Sequence, residues 1–292
     1  MRHPPAGWPG LEHATRVSSG GVEWHFYRIG GGPKQVLLLH GTGSSSHSWY
    51  PVARKLARRW DVLVPDLPGQ GFSVPSTTAL INLNGMAKAL GALLKTLDFR
   101  PTLIAGHSAG AAVACGLCLR GLQNPRNIAS VNGALMPFGR AAAPIFSSAA
   151  QLLASSRMLP YIVAAHAITR QPIERMLRGT GSAVDARMTR CYRHLMGSPT
   201  HVTGTLHMMA NWDLHQLERS LPRLEPKLHL LVGDRDEVVA PVQAYEIKER
   251  LPDAELLEFP DLGHLAHEER PELIAQELTR LLGTKLESAT RV

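Results

Sequence analysis

Cysteine is scarce in this chain, and long apolar runs are absent. The three cysteines among 292 residues are an odd number, and no apolar signal segment follows Met1 to Pro5. No disulfide framework is therefore predicted. No stretch approaches the roughly 18 uninterrupted apolar residues that a membrane-spanning helix requires. These absences predict a cytoplasmic protein, with peripheral contact at the inner membrane left open.

The spacings typical of metal sites are also missing. Cys115 and Cys118 form one C-x-x-C, but neither a second pair nor a matching histidine pattern accompanies it. The pair lies inside a predicted helix, where small buried side chains are the simpler interpretation. Five histidines lie in or beside the segment 133–212, but their spacing is not that of a metal site: His166, His194, His201, His207 and His215. We predict no metal site and no cofactor.

A serine between two glycines follows an apolar run. The run Thr102 to Ala105 leads into Gly106-His107-Ser108-Ala109-Gly110, and small helix-compatible residues follow. This order predicts a strand, a sharp turn and a helix, with the serine exposed on the turn for nucleophilic attack. The pentapeptide alone is a weak signal, so its meaning depends on a base, an acid and an oxyanion site elsewhere.

Partners for Ser108 follow in the chain. The strand-like segment beginning at Leu228 ends at Gly233, and Asp236 lies in the loop after it. A second strand-like segment precedes His264. We expect His264 to accept the serine proton and Asp236 to orient its imidazole. Asp234 is the alternative acid, less favoured because the pattern Gly-x-x-Asp places Asp236 further along the loop.

The apolar strand Val36 to Leu39 runs into a His-Gly loop. There the backbone amide of Thr42 is predicted to bind the oxyanion together with the amide of Ala109. His40 is expected to be structural. We expect substrate contacts from residues around this site: Gly41, Gly43, His107, Met136 and Trp212.

Alternating strand-like and helix-like segments predict a mostly parallel central sheet flanked by helices, the α/β-hydrolase fold. No convincing strand occurs between Gly133 and Trp212. We therefore predict that residues 1–132 and 213–292 form the core, and that residues 133–212 form a helical cap inserted after the sixth core strand.

The predicted cap has an unusual composition. The formal net charge of the chain is +7, and six of these charges arise between residues 132 and 212, where eight arginines accompany two acidic residues. Seven of the nine methionines also lie there. Methionine packs adaptably around large ligands. The arginines alternate with apolar residues and accompany no nucleic-acid-binding motif, so no nucleic-acid partner is predicted.

One cap helix is predicted from periodicity. Its apolar side chains recur at helical spacing: Met188, Cys191, Tyr192, Leu195 and Met196. Arg187, Arg190 and His194 occupy another face.

Five segments together resemble the BchO-type magnesium-chelatase accessory proteins of bacteriochlorophyll biosynthesis, a branch of the α/β hydrolases. The resembling segments are residues 39–49, 65–73, 106–112, 131–135 and 263–271. One departure is Gln70, at a position where the fold often carries histidine. The resemblance implies a role near magnesium insertion into protoporphyrin and an association with magnesium chelatase. A porphyrin is a broad apolar ring with two propionates, which an arginine- and methionine-rich cap suits.

Three functions are compatible with these observations. The first is a serine hydrolase that cleaves an ester or other acyl bond in a bulky amphiphilic anionic substrate, such as a tetrapyrrole. The second is a non-catalytic protein that binds a porphyrin or assists the chelatase. The third is a general carboxylesterase or lipase without a link to pigment synthesis. Enzymes of this fold with an aspartate nucleophile are disfavoured, because Ser108 stands where they need a carboxylate.

Overall fold

The computed structural model describes residues 3–137, 158–167 and 170–283. Within these ranges nine strands form one sheet. The strands are β1 (Ala14–Ser19), β2 (Val22–Ile29), β3 (Gln35–Leu39), β4 (Asp61–Pro65), β5 (Val74–Pro75), β6 (Leu103–His107), β7 (Asn127–Val131), β8 (Lys227–Gly233) and β9 (Glu255–Phe259).

The sheet order is β1-β2-β4-β3-β6-β7-β8-β9, with β5 paired to β2. Strand β2 pairs antiparallel with β1, β4 and β5. From β4 to β9 along the sheet, every neighbouring pair is parallel. Because parallel strands end at the same edge, the loops after β3, β6, β7, β8 and β9 gather there.

The described α-helices are α1 (Tyr50–Leu56), α2 (Leu83–Thr96), α3 (Ala109–Leu119), α4 (Leu159–Ala167), α5 (Arg170–Arg178), α6 (Ala186–Met196), α7 (Pro199–Ala210), α8 (His215–Ser220), α9 (Val242–Arg250), α10 (Ala266–Glu269) and α11 (Pro271–Leu281). Helices α4 to α8 lie in the chain between β7 and β8. Strand β7 is the sixth strand along the main path of the sheet. The predicted α/β-hydrolase fold is confirmed.

The central strands are apolar because helices cover both of their faces. All five residues of β6 and all five of β7 are buried, the pattern typical of parallel strands between helix layers. Strand β1 differs, since it lies at the sheet edge and only Ala14 and Val17 among its six residues are aliphatic. Because so few of its side chains are apolar, the sequence alone gives little indication of β1.

Among the described residues, no helix is both long enough and apolar enough to span a bilayer. The segment 138–157, which contains Arg140 and Arg157 of the predicted cap, lies outside the described residues.

Candidate active site

Ser108 occupies a strained turn between β6 and α3. Its backbone has φ of 51° and ψ of −120°, a conformation that costs on the order of 1–3 kcal/mol for a residue other than glycine. The two flanking glycines allow the chain to approach itself closely. A Cβ at Gly106 would lie 2.4 Å from the Ala111 nitrogen, and one at Gly110 would lie 2.3 Å from the Leu39 oxygen. The local sequence therefore permits the turn that holds Ser108.

His264 and Asp236 form a pair at the edge of the sheet where Ser108 lies. The distance between His264 Nδ1 and Asp236 Oδ2 is 2.8 Å. The other carboxylate oxygen, Oδ1, accepts the N–H groups of Val238 at 2.8 Å and Val239 at 2.9 Å. Both members of the pair are buried. A carboxylate that accepts a hydrogen bond at Oδ2 holds a proton on Nδ1 of the imidazole.

Asp234, the alternative acid, does not contact the His264 imidazole and instead bonds to the turn after β9. Its side chain is exposed, and its Oδ1 accepts the N–H of Asp261 at 2.8 Å. Asp234 therefore supports the turn after β9, whereas Asp236 contacts the imidazole.

Asn132 joins the two loops that carry this pair. Its Nδ2 donates to the carbonyl oxygens of Gly263 and His264, each at 2.8 Å. Its Oδ1 accepts the N–H of Gly233 at 2.8 Å. The residue has a positive φ of 45°, a conformation that asparagine tolerates better than most residues. A buried amide directly after β7 thus fixes the ends of β8 and of the His264 loop relative to each other.

Ser108 and His264 line one largely apolar cavity of about 460 Å³, a volume within the usual range for small-molecule sites. Its floor is formed by residues of the core loops, and much of its wall by residues of α5, α6 and α7. The lining residues from these helices and from the chain that follows them are Met176, Leu177, Gly179, Thr180, Tyr192, Met196, Thr205, Met209 and Trp212.

The predicted site residues occupy different positions relative to this cavity. Thr42 and Ala109, expected at the oxyanion site, both line it. As the first residue of α3, Ala109 has an N–H without a partner inside the helix. Gly43, His107 and Trp212 also line the cavity.

Gly41 and Met136 are not among the lining residues. A Cβ at Gly41 would lie 2.8 Å from His107 Nδ1 and 3.0 Å from Ser108 Cβ, so this glycine allows the loop to pass close behind the serine. Met136 is only 7% exposed and packs into the hydrophobic core. The structure therefore places Met136 in the core and not at this cavity.

No cap arginine lines the cavity among the residues that the structure describes. Among the described residues that line it, the acidic Glu237 is the one carboxylate and no arginine is present. Arg178, Arg190 and Arg193 instead line a separate cleft between α5 and α6, which shares Leu177 with the cavity. The apolar face of α6 turns towards the core, so its guanidinium groups turn away. Within the described residues, no arginine is therefore placed to pair with the carboxylates of a ligand inside the cavity.

The two cysteines of the C-x-x-C pack within α3. Cys115 is buried and Cys118 is partly buried, and burial raises the pKa of the Cys118 thiol to about 12. A thiol that stays protonated is a poor nucleophile and a poor metal ligand. In the described ranges of the chain, no group of three or more potential ligands could hold a metal ion.

Several histidines around the site are fully buried and neutral. Burial lowers the pKa of His47 to about 3 and that of His201 to about 4. The pKa values of His107 and His267 also lie well below 6.5, because of burial and of neighbouring histidines. Glu268 shows the opposite shift, since burial raises its pKa to about 8. At neutral pH the folded protein therefore keeps these four imidazoles and this carboxyl group uncharged.

These shifts predict marked instability in mild acid. Between pH 6.5 and about 4, the unfolded chain binds protons at histidines 47, 107, 201 and 267, which the folded protein keeps neutral. The free energy of unfolding should therefore fall as the pH drops, by at most about 1.4 kcal/mol per pH unit for each histidine. Glu268 acts oppositely, because between pH 8 and 4.5 the folded state holds a proton that the unfolded state releases.

Urea unfolding measured from pH 8 to pH 5 checks this prediction. Four histidines outweigh one carboxyl group, so we expect a net loss of stability below pH 6.5. Glu268→Gln removes the opposing contribution of the carboxyl group. In this variant the free energy of unfolding should fall more steeply as the pH drops, by the equivalent of about one additional bound proton. A free energy of unfolding that stays constant between pH 7 and pH 5 would contradict the prediction.

The fold and this arrangement define the class of protein. The chain belongs to the alpha/beta hydrolase family, whose model matches residues 36–277. It is 37% identical over 267 residues to the "Magnesium-chelatase 30 kDa subunit" of Rhodobacter capsulatus, a match that covers 90% of this chain and 92% of that protein. The resemblance to BchO-type proteins is thereby confirmed.

Solved structures show the same fold. An alpha/beta hydrolase fold protein from Burkholderia ambifaria has a TM-score of 0.76 and 22% identity, covering 93% of this chain and 98% of that one. A thermophilic esterase from Thermogutta terrifontis has a TM-score of 0.72 and 24% identity, covering 92% and 98%.

Proposed function

We propose that this protein is a serine hydrolase that cleaves an ester or other acyl bond in a bulky, largely apolar substrate. The observation that carries the proposal is the placement of Ser108, on its strained turn, in one cavity with a histidine that Asp236 holds by Nδ1. His264 Nε2 accepts the Ser108 proton as Oγ attacks the acyl carbon. The N–H groups of Thr42 and Ala109 stabilise the oxyanion.

The second half of the reaction releases the acyl group. The proton held by His264 passes to the leaving oxygen or nitrogen, and the acyl–serine ester remains. Water then gives its proton to His264 and attacks this ester, which regenerates the Ser108 hydroxyl and frees the acid. Each proton removed from a nucleophile is thus returned to a leaving group.

For the substrate we propose a tetrapyrrole on the pathway that magnesium chelatase serves. The relative from Rhodobacter capsulatus is named as a subunit of that enzyme, and the cavity has flexible apolar walls that suit a broad ring. Because its charged lining is acidic, the carboxylates of such a ligand would lie outside it. The arginine cleft beyond Leu177 is one place that can receive them.

Helices α4 to α7 act in this proposal as a cap, bounded by residues 133 and 212. Support comes from Met176, Tyr192 and Met209, which belong to three of these helices and line the cavity opposite the core loops. The core is then formed by residues 1–132 and 213–292. A cytoplasmic location remains part of the proposal.

Titration with protoporphyrin and with its magnesium form tests the substrate class, with the Soret band followed for binding and the products for cleavage. Met209→Glu places a charge in the apolar wall and should weaken binding by at least about tenfold. Met158→Glu is the matched control, because Met158 is 66% exposed and lies outside the cavity. Robust turnover of simple acyl esters without any Soret change would instead favour a general carboxylesterase.

A non-catalytic role is the second candidate, and the relative's designation as a chelatase subunit favours it. In that case the protein would bind a porphyrin or assist the chelatase without acyl transfer. Pigment synthesis supported by Ser108→Ala, together with an unlabelled Ser108 in the native protein, would favour this role over hydrolysis.

A further inference from the structure

The loop that carries Thr42 is held by side chains of the inserted helices. His201 of α7 is 1% exposed. Its Nδ1 accepts the N–H of Gly71 at 3.0 Å, and its Nε2 lies 3.2 Å from the carbonyl oxygen of Gly43. Because the first contact requires an unprotonated Nδ1, the proton must be on Nε2, which donates to Gly43. One imidazole therefore links two core loops.

Tyr192 of α6 contacts the loop that carries Thr42 at Ser44, the residue after Gly43. Its hydroxyl donates to Glu268 Oε1 at 2.6 Å and lies 3.2 Å from Ser44 Oγ, which is then the donor. The tyrosine, the serine and the glutamate are all buried. This chain connects the loop after β3 to α10, which begins two residues after His264.

The position of α7 leaves little freedom for these contacts to change. A Cβ at Gly204 would lie 1.7 Å from the carbonyl oxygen of Gly69, so the backbone of the helix rests directly on the turn before Gly71. On the core side, Gln70 Oε1 accepts the N–H of Gly43 at 2.6 Å. Both polar groups of the Gly43 backbone are thus fixed, one by the core and one by α7.

We propose that His201 and Tyr192 are positioning residues that set the oxyanion loop, residues 41–45, for catalysis. This inference rests on the proposed hydrolase function, and it makes α6 and α7 part of the catalytic apparatus as well as a wall for substrate. Neither side chain touches the reacting atoms in this role. They act through the Gly43 carbonyl and the Ser44 hydroxyl, which directly follow Thr42 in the chain.

Two conservative substitutions separate the contacts of His201. His201→Gln keeps a donor near the Nε2 position towards Gly43, whereas His201→Asn keeps only an acceptor near the Nδ1 position towards Gly71. We expect kcat for a p-nitrophenyl ester to fall by about ten- to a hundredfold in His201→Asn and His201→Ala, with KM within about twofold, because misplaced groups weaken transition-state binding. His201→Gln should restore much of kcat.

The Tyr192→Phe variant tests the second contact, since it keeps the aromatic wall and removes the hydroxyl. We expect a smaller fall in kcat in the same direction. His207→Asn is the control on α7, because His207 is half-buried and does not line the cavity. Active-site titration with a fluorophosphonate corrects kcat for the fraction of folded protein.

Hydrogen–deuterium exchange provides a readout independent of activity. Amides in the peptide covering residues 41–49 should exchange faster in His201→Asn than in the wild type or in His207→Asn. Unchanged exchange in this peptide would overturn the positioning role, as would unchanged kcat with normal labelling of Ser108. A wild-type protein that is not labelled at Ser108 would instead refute the hydrolase function, and the exchange comparison would still decide whether His201 holds the loop.

Discussion

Ser108→Ala is expected to abolish labelling by a fluorophosphonate and to lower kcat for acyl esters by about a million-fold, to the level of background hydrolysis. The methyl group of alanine cannot form the acyl–enzyme bond, so the two-step route is lost. What remains is the cavity and the proposed oxyanion site, which by themselves are expected to accelerate hydrolysis far less. Mass spectrometry of the labelled peptide, combined with initial-rate kinetics, measures both effects.

Ser130→Ala is the matched control for this substitution. Ser130 lies on the neighbouring strand β7 and is 1% exposed, and its Oγ has no hydrogen-bond partner among the residues that the structure describes. Its replacement by alanine therefore leaves no buried group newly unpaired, and folding and labelling should be preserved. Retained turnover in Ser108→Ala, or labelling at a different serine, would contradict the assignment of the nucleophile.

Asp236→Asn should lower kcat by about ten-thousand-fold without unfolding the protein. The carboxylate oxygen Oδ1 accepts two backbone N–H groups, from Val238 and Val239. The amide oxygen of asparagine must take that position, so its NH₂ group points at His264 Nδ1. The imidazole proton is then driven to Nε2, where it blocks acceptance of the Ser108 proton.

Asp234→Asn provides a control only two residues away. Asp234 is exposed and accepts a single N–H, that of Asp261, which an amide oxygen can still accept. The kcat of the Asp234→Asn variant should stay within about twofold of the wild-type value. An effect of Asp234→Asn equal to that of Asp236→Asn would exclude Asp236 as the group that orients the imidazole.

The order of the strands explains why much of the candidate site could be predicted from the sequence. Ser108, Asp236 and His264 each follow a strand of the parallel part of the sheet, and parallel strands end at one edge. A carboxylate and an imidazole after neighbouring strands are therefore brought together by topology. The amphipathic face of α6 was also predictable, since periodicity alone separates its buried from its exposed side chains.

The supporting contacts could not be predicted in the same way. Asn132 bonds to groups about a hundred residues further along the chain, and no local pattern encodes such a pairing. His201 is one of five histidines without informative spacing, and only the fold shows that both of its nitrogens bind backbone groups. The direction of the cap arginines depends on how α5 and α6 pack, which single-helix periodicity does not determine.

The backbone of Ser108 places activity and folding in competition. At a φ of 51° and a ψ of −120°, glycine would relieve a cost on the order of 1–3 kcal/mol, which is a substantial share of the stability of an ordinary domain. Selection for stability alone would therefore favour glycine at this position. A serine at this position therefore lowers the stability of the fold relative to glycine, a cost that is expected to persist where the hydroxyl takes part in catalysis.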